Sequence, residues 1–415
     1  MSTVEKVPLN TIVTTFGFSS LEGPFLHRLL TLQAVRKHLD IGRNVRWQFV
    51  SSAILEKPRR VEPEAVWQIL RQQGVVYFNV GHAKDVGCWD QHGSDQNQSL
   101  CELCSLDIVR GEYDFLKYRP WLRTIYQKVR DNDVDAIKLS ENQANLRMLM
   151  SGLALMFPKD PQKVLETLSL ALTGVFQRAK DSANLDKVFD LDEIRAGVAS
   201  CAEATVSADF NQLVEEAVKA IDQDWKQALV DVAKAANDRR HTAWVKHPLL
   251  SEILGRDCRT LLVKSDCVKV AAAARRQRFD LVIAVRSNGH CQVFSSNMWR
   301  DKGEVKFKLD FGAVAHQLRI LEAKFAQPRQ RLEGGDWTGP GYVYYQNGRP
   351  DNLNAPACPW YLAEFRSGLF NGSLSAPDVP PTRIHPTHIL QAVTAILPKC
   401  RPLKQVGDGH WEHAY

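Results

Sequence analysis

The chain has no apolar run of the roughly 20 residues that crossing a bilayer requires, so no membrane partner is expected. Its first ten residues, MSTVEKVPLN, place Glu5 and Lys6 ahead of a short apolar stretch and lack the shape of a signal peptide. The expected address is cytoplasmic. Cysteine is scattered, nine residues in all, and an odd, dispersed set argues against a disulfide framework. Only Cys101 and Cys104 form a CxxC, and no second CxxC or CxxH completes a zinc site. The segment 98–110 reads as a helix with Leu100, Leu103, Cys104 and Ile108 on one face, and two small buried thiols account for the pair more simply than a metal. The chain also lacks a Gly-x-Ser-x-Gly elbow and a dinucleotide fingerprint after a predicted strand. No Gly-Lys-Ser/Thr follows the glycine-rich loop 334–341, so a P-loop is not supported either.

What is present is an ordinary globular composition: 415 residues, 44% apolar and 24% charged, with a formal net charge of +6. That length is too great for one core, and two or three domains are expected. Residues 1–151 alternate short apolar strands, at 11–15, 46–50 and 75–80, with helices at 26–38 and 63–73, which predicts an α/β domain with a mostly parallel sheet. Residues 152–245 read as a helical connector or arm. There Asp160-Pro161 starts one helix, with Val164, Leu165, Leu168, Leu172 and Val175 as its stripe, and a second runs from about Asp209. Residues 246–415 change texture and predict a smaller α+β domain, with strands at 259–263 and 280–285 and a turn at Ser287-Asn288-Gly289-His290.

The most informative stretch is Val75 to Gly93, VVYFNVGHAKDVGCWDQHG. A buried-strand run ends at Asn79, turns through Gly81 and reaches Asp90-Gln91-His92-Gly93. Ligands of open α/β sheets sit beyond the carboxyl ends of the strands, and a carboxylate and an imidazole two residues apart there can face one metal ion or phosphate. That donor pair suits Mn, Fe or Zn better than Ca.

This pattern resembles the DHH phosphoesterase superfamily, in its melanocyte-proliferating-gene-like branch. The resemblance rests on Asn79-Val80-Gly81 and Trp89-Asp90-Gln91-His92, standing for a strand-end Asp-Val-Gly and an aromatic-Asp-His-His motif. The first family motif, Thr-His followed by spaced acidic residues, falls on 12–22, where Thr15 replaces the His and Glu22 is the remaining carboxylate. A further metal-binding Asp of the family falls at Asp133, with Asp131 second, although a polar helix terminus explains both residues equally well. The C-terminal third resembles bacterial members in Gly339-Pro340-Gly341-Tyr342, Asn371-Gly372-Ser373 and the 377–382 segment. The resemblance implies catalytic Asp90 and His92 and metal ligands Asp90, His92, Asp133, Asn79 and Glu22, with His82 as an alternative to Glu22 and Mn as the expected cofactor. Thr15, Asn79 and Gln91 replace ligand types of the family, which implies weakened or lost phosphodiester hydrolysis.

Basic residues cluster at Arg239-Arg240-His241 and at Arg275-Arg276-Gln277-Arg278. Each cluster is either a solvated helix face or a phosphate-backbone contact. Gly334 and Gly335 open the glycine-rich loop, either a surface turn or a phosphate cradle. Two main readings follow: a binder of nucleic acid or nucleotides on a phosphoesterase fold with reduced hydrolysis, or an active Mn-dependent phosphodiesterase. A protein-assembly subunit that uses the helical middle is the third.

Overall fold

The computed structural model describes residues 9–15, 41–50, 75–78, 88–89, 120–134, 144–181, 185–295, 299–301, 305–325, 360–362, 368–372, 381–405 and 411–413. The chain is mixed α/β and divides into two compact units, with the division between Asp222 and Gln223.

In the first unit, strands β1 (Leu9–Thr15), β2 (Ile41–Val50), β3 (Val75–Phe78) and β4 (Cys88–Trp89) form a sheet in the order β2-β1-β3-β4. Every pairing in it is parallel. β3 lies between β1 and β4, as its run of β-branched and aromatic residues predicts for an interior strand. β2 begins at Ile41 rather than Arg46, and its pairing with β1 shifts register between Leu9 and Thr11.

The same unit holds a helical bundle of α1 (Pro120–Val134), α2 (Leu146–Met156), α3 (Pro161–Asp181), α4 (Leu191–Cys201) and the first part of α5 (Ala204–Ala236). Asn145 caps α2, its Oδ1 accepting from Arg147 N at 3.0 Å and Met148 N at 3.4 Å. Asp160 caps α3 through Lys163 N at 3.0 Å, with Pro161 in the first turn where its missing N–H is harmless. A short bridge, Leu146 N to Phe189 O at 2.9 Å and Leu191 N to Ala144 O at 3.0 Å, ties the starts of α2 and α4. The α3 stripe read from the sequence is buried, and Leu168, Leu172 and Val175 pack with Leu122, Ile125, Leu153, Phe189, Val198 and Phe210. α3 and α4 meet backbone to backbone at Gly174 and Gly197, where neither position has room for a Cβ.

In the second unit a six-stranded sheet runs β11 (Tyr361–Leu362), β12 (Gly368–Asn371), β8 (Cys291–Ser295), β7 (Leu281–Val285), β6 (Cys258–Lys264), β5 (Thr242–Val245). Only β6 and β7 in it are parallel, with α7 (Val270–Arg276) between them in sequence. Side chains alternate between two cores, as strand geometry requires. Leu262, Ile283 and Val293 face Phe311, Val314 and Leu318 of the α8 region (α8, Gly312–Phe325) and Ile389 of α9 (Pro386–Ile396). Leu261, Val263, Val282 and Ala284 face Ala273 and Ala274 of α7, together with Ala228 and Val232 of α5. A separate antiparallel sheet pairs β9 (Trp299–Asp301), β10 (Val305–Leu309), β13 (Pro402–Gln405) and β14 (Trp411–His413), and the five-residue α6 (Leu250–Leu254) precedes β6.

Candidate functional site

A parallel sheet brings the carboxyl ends of its strands to one edge. Here β1 ends at Thr15, β3 at Phe78 and β4 at Trp89, with Val13 paired to Tyr77 and Phe78 paired to Trp89. The chain passes from β1 outward to β2 and then back across to β3, so a switch point falls between β1 and β3. Of the residues expected to carry chemistry, Glu22, Asn79, His82, Asp90, His92, Gly334 and Gly335 lie outside the described residues, as does the Cys101/Cys104 pair. Asp131 and Asp133 fall in the last turn of α1, which runs on to Val134. Among the described residues no three His, Cys, Asp or Glu side chains are grouped to hold a metal ion. Nor is any described helix long and apolar enough to cross a membrane.

The two arginine clusters are described, and their members differ. Arg240 is spent on Asp238, with Nη2 to Oδ2 at 2.8 Å and Nε to Oδ1 at 3.1 Å. The Arg240 side chain and N–H beside Asp238 hold its carboxyl down at about 2. Arg239 is exposed. In the second cluster Arg275 turns back along its own helix, Nε donating to Ala271 O at 3.2 Å, and burial pulls its pKa down. Arg276 and Arg278 are exposed, and the Arg276 guanidinium stands 5.8 Å from the Trp225 ring. The run is therefore not one patch; only two of its three arginines face solvent.

Arg278 closes α7 in an unusual way. Its N–H donates to Arg275 O at 2.9 Å and the Phe279 N–H donates to Ala274 O at 3.1 Å, the bond pair of a Schellman cap. The residue between these bonds takes left-handed backbone, φ 63°, which glycine adopts freely and an arginine does not.

Two arrangements escaped the sequence reading. Trp244 on edge strand β5 is 60% exposed and is paired across the sheet with Arg259 of β6. The Arg259 guanidinium lies 5.2 Å from the Trp244 ring and 4.3 Å from the Phe279 ring, and Nη1 donates to Gln277 O at 3.2 Å. The second is a buried polar knot. Glu322 is 2% exposed and accepts from Trp360 Nε1 at 2.9 Å, Thr382 Oγ1 at 2.6 Å and Arg383 N at 2.8 Å. Asn371 Oδ1 accepts from Thr382 N at 2.8 Å, so Asn371-Gly372 and the 381–383 segment, both singled out in the sequence, are tied together. Gly372, at φ 74°, lies flat against the His290 ring and leaves no room for a Cβ. These three donors hold both carboxylate oxygens, and the knot reads as a structural brace. Burial pushes the Cys258 and Cys400 thiols up to about 12 and raises Cys291 as well, so none is a thiolate at neutral pH.

No family model matches the chain, and no curated protein matches it. Among solved structures, an uncharacterized protein from Helicobacter pylori G27 aligns at 12% identity over 70% of this chain and 86% of that one, with a TM-score of 0.29.

Proposed function

We propose that this chain is a divergent DHH-type phosphoesterase-fold protein that binds nucleic acid or nucleotides, with metal-dependent hydrolysis weakened or lost. The observation that carries this reading is the all-parallel order β2-β1-β3-β4. Open sheets of this order bind ligands beyond the strand ends, at the point where the order reverses. In sequence, Asn79 directly follows β3 and Asp90 directly follows β4, two neighbouring strands of that edge, while Glu22 lies on the segment after β1.

Asp90 and His92 are the residues proposed to hold Mn, with Asn79, Glu22 and Asp133 as further donors. Bound there, the ion would polarise a phosphoryl oxygen and acidify a water. Asn79 supplies a neutral carbonyl, Gln91 a neutral amide and Thr15 a hydroxyl, so this donor set carries less charge than a two-metal site needs. Weak turnover follows from that deficit. The test is hydrolysis of oligonucleotides and dinucleotides by the purified protein with added Mn, repeated with Asp90→Ala. Trace or absent turnover is expected; robust turnover that vanishes in Asp90→Ala would establish an active phosphodiesterase instead.

A further inference from the structure

We propose that the rim formed by Trp244, Arg259, Phe279 and Arg278 is a stacking platform for single-stranded nucleic acid, with Trp244 taking an unpaired base and Arg278 a phosphate. The proposal rests on the reading of the chain as a nucleic-acid binder but requires no metal.

The rim exists because the helices over one face of the second unit's sheet do not reach the edge strand. Leu261 and Val263 of β6 are covered by α5 and α7, whereas Arg259 and its cross-strand partner Trp244 lie at the open end of the same face. The Arg259 guanidinium fills the step between the Trp244 and Phe279 rings, within the range of a cation–π contact to both. Its bond to Gln277 O anchors it, so the Trp244 ring is backed by a fixed cation while most of its own surface stays open. A large aromatic ring in that state is an unfilled stacking surface, and base stacking tolerates any sequence because every base has a π-face.

The charge of the rim is unbalanced. Asp280, which accepts the Arg259 N–H at 2.8 Å, has its carboxylate held by Arg256 at 2.6 and 3.0 Å. Among the described residues no carboxylate pairs with the guanidinium of Arg259 or Arg278. An anion is the missing partner.

The backbone of Arg278 gives the independent argument. Glycine is the stable choice at the left-handed position of a Schellman cap, and any other residue there costs free energy. Arg278 occupies it at φ 63°, exposed, immediately between the two residues that touch Arg259. Strain held at an exposed cation, next in sequence to the Phe279 that packs on Arg259, points to a use for that cation. An edge-strand partner protein would want β5 bare; it would not call for an uncompensated cation held in strained backbone.

The experiment is fluorescence anisotropy of a labelled oligothymidylate against the full chain, in EDTA, across a salt series. Trp244→Ala should weaken single-strand binding about tenfold while Trp244→Phe retains most of it. Arg278→Gly should raise the urea midpoint yet weaken binding and flatten the salt slope by about 0.7, one single-strand phosphate. A merely structural role for Arg278 cannot produce that opposition of sign. Duplex of the same length should compete poorly. If the wild type binds but Trp244→Ala and Arg278→Gly bind as well as it does, the rim is refuted while nucleic-acid binding stands elsewhere on the chain. Absence of wild-type binding at low salt would overturn both. Self-association that Trp244→Ala abolishes, without oligonucleotide binding, would assign the rim to a second copy and refute the proposal.

Discussion

Replacing Gly197 by alanine should destabilise the helical bundle, although alanine is the better helix former. In a solvent-exposed helix interior the exchange gains about 1 kcal/mol. Here α3 and α4 approach so closely that a Cβ on Gly197 would sit 2.7 Å from the carbonyl carbon of Gly174 and closer still to its oxygen. Real Cβ atoms essentially never come within 3.0 Å of another heavy atom, and the obstacle is backbone that no rotamer change can clear. The helices must part by about 1 Å, which forfeits a quarter to a half of each dispersion contact along the seam. Overpacking of this kind costs about 1–3 kcal/mol, and the absence of a flexible neighbour puts Gly197 at the upper end. The propensity gain offsets part of that, for a net loss of about 1–2 kcal/mol. Urea unfolding followed by far-ultraviolet circular dichroism reads it directly, since the bundle supplies much of the helix. Gly174→Ala should behave alike, because its Cβ would meet Ile194 O at 2.5 Å and Val198 N at 3.0 Å. The two losses should not add, since one parting of the helices relieves both. An unchanged or raised midpoint for Gly197→Ala would refute the backbone-to-backbone seam.

Two further outcomes follow from buried polar groups of the second unit. His247 is 2% exposed, its Nδ1 accepting from Leu250 N at 3.1 Å and Nε2 facing Cys400 O at 3.0 Å, which defines the tautomer protonated on Nε2. Burial lowers its pKa below the free value, so its stabilisation is complete above about pH 6.5 and is lost as pH falls from there towards the folded pKa. The stability difference between wild type and His247→Asn should therefore shrink from pH 7.5 to pH 5, by urea midpoints; a constant difference would contradict it. Glu322→Ala strands the Trp360 indole, the Thr382 hydroxyl and the Arg383 N–H, and should cost about 3 kcal/mol or more in the same assay.

What the sequence made legible was local. The β-branched runs at 11–15 and 75–78 form strands of a parallel sheet, and the α3 stripe faces its core. The turn at 287–290 forms with Asn288 Oδ1 accepting from His290 N at 3.0 Å and Gly289 at φ 85°. Contacts distant in sequence were not legible. Glu322 meets partners 38 and 60 residues away, a pairing that no local spacing encodes. Trp244 falls at the end of the 152–245 segment read as helical, whereas it stands on strand β5, and its exposure depends on β5 being an edge and on where α7 stops. The arginine run 275–278 read as a single cluster, whereas the Schellman cap turns its members apart, and the absence of glycine at the cap hid that cap from the sequence. The helix starting at Ala204 rather than near Asp209, and the separate α4, went unseen in a segment where helical periodicity is continuous. The proposed metal donors rest on sequence and on the strand ends that precede them.

The central claim, that the chain binds nucleic acid through cations with or without turnover, is tested most directly by the salt dependence of oligonucleotide binding to the wild-type protein in EDTA. The account predicts measurable binding at low salt that persists without metal, with log K falling linearly as log salt rises, by about 0.7 for each phosphate neutralised on a single strand. Binding that is absent at low salt, or that ignores salt, would contradict it.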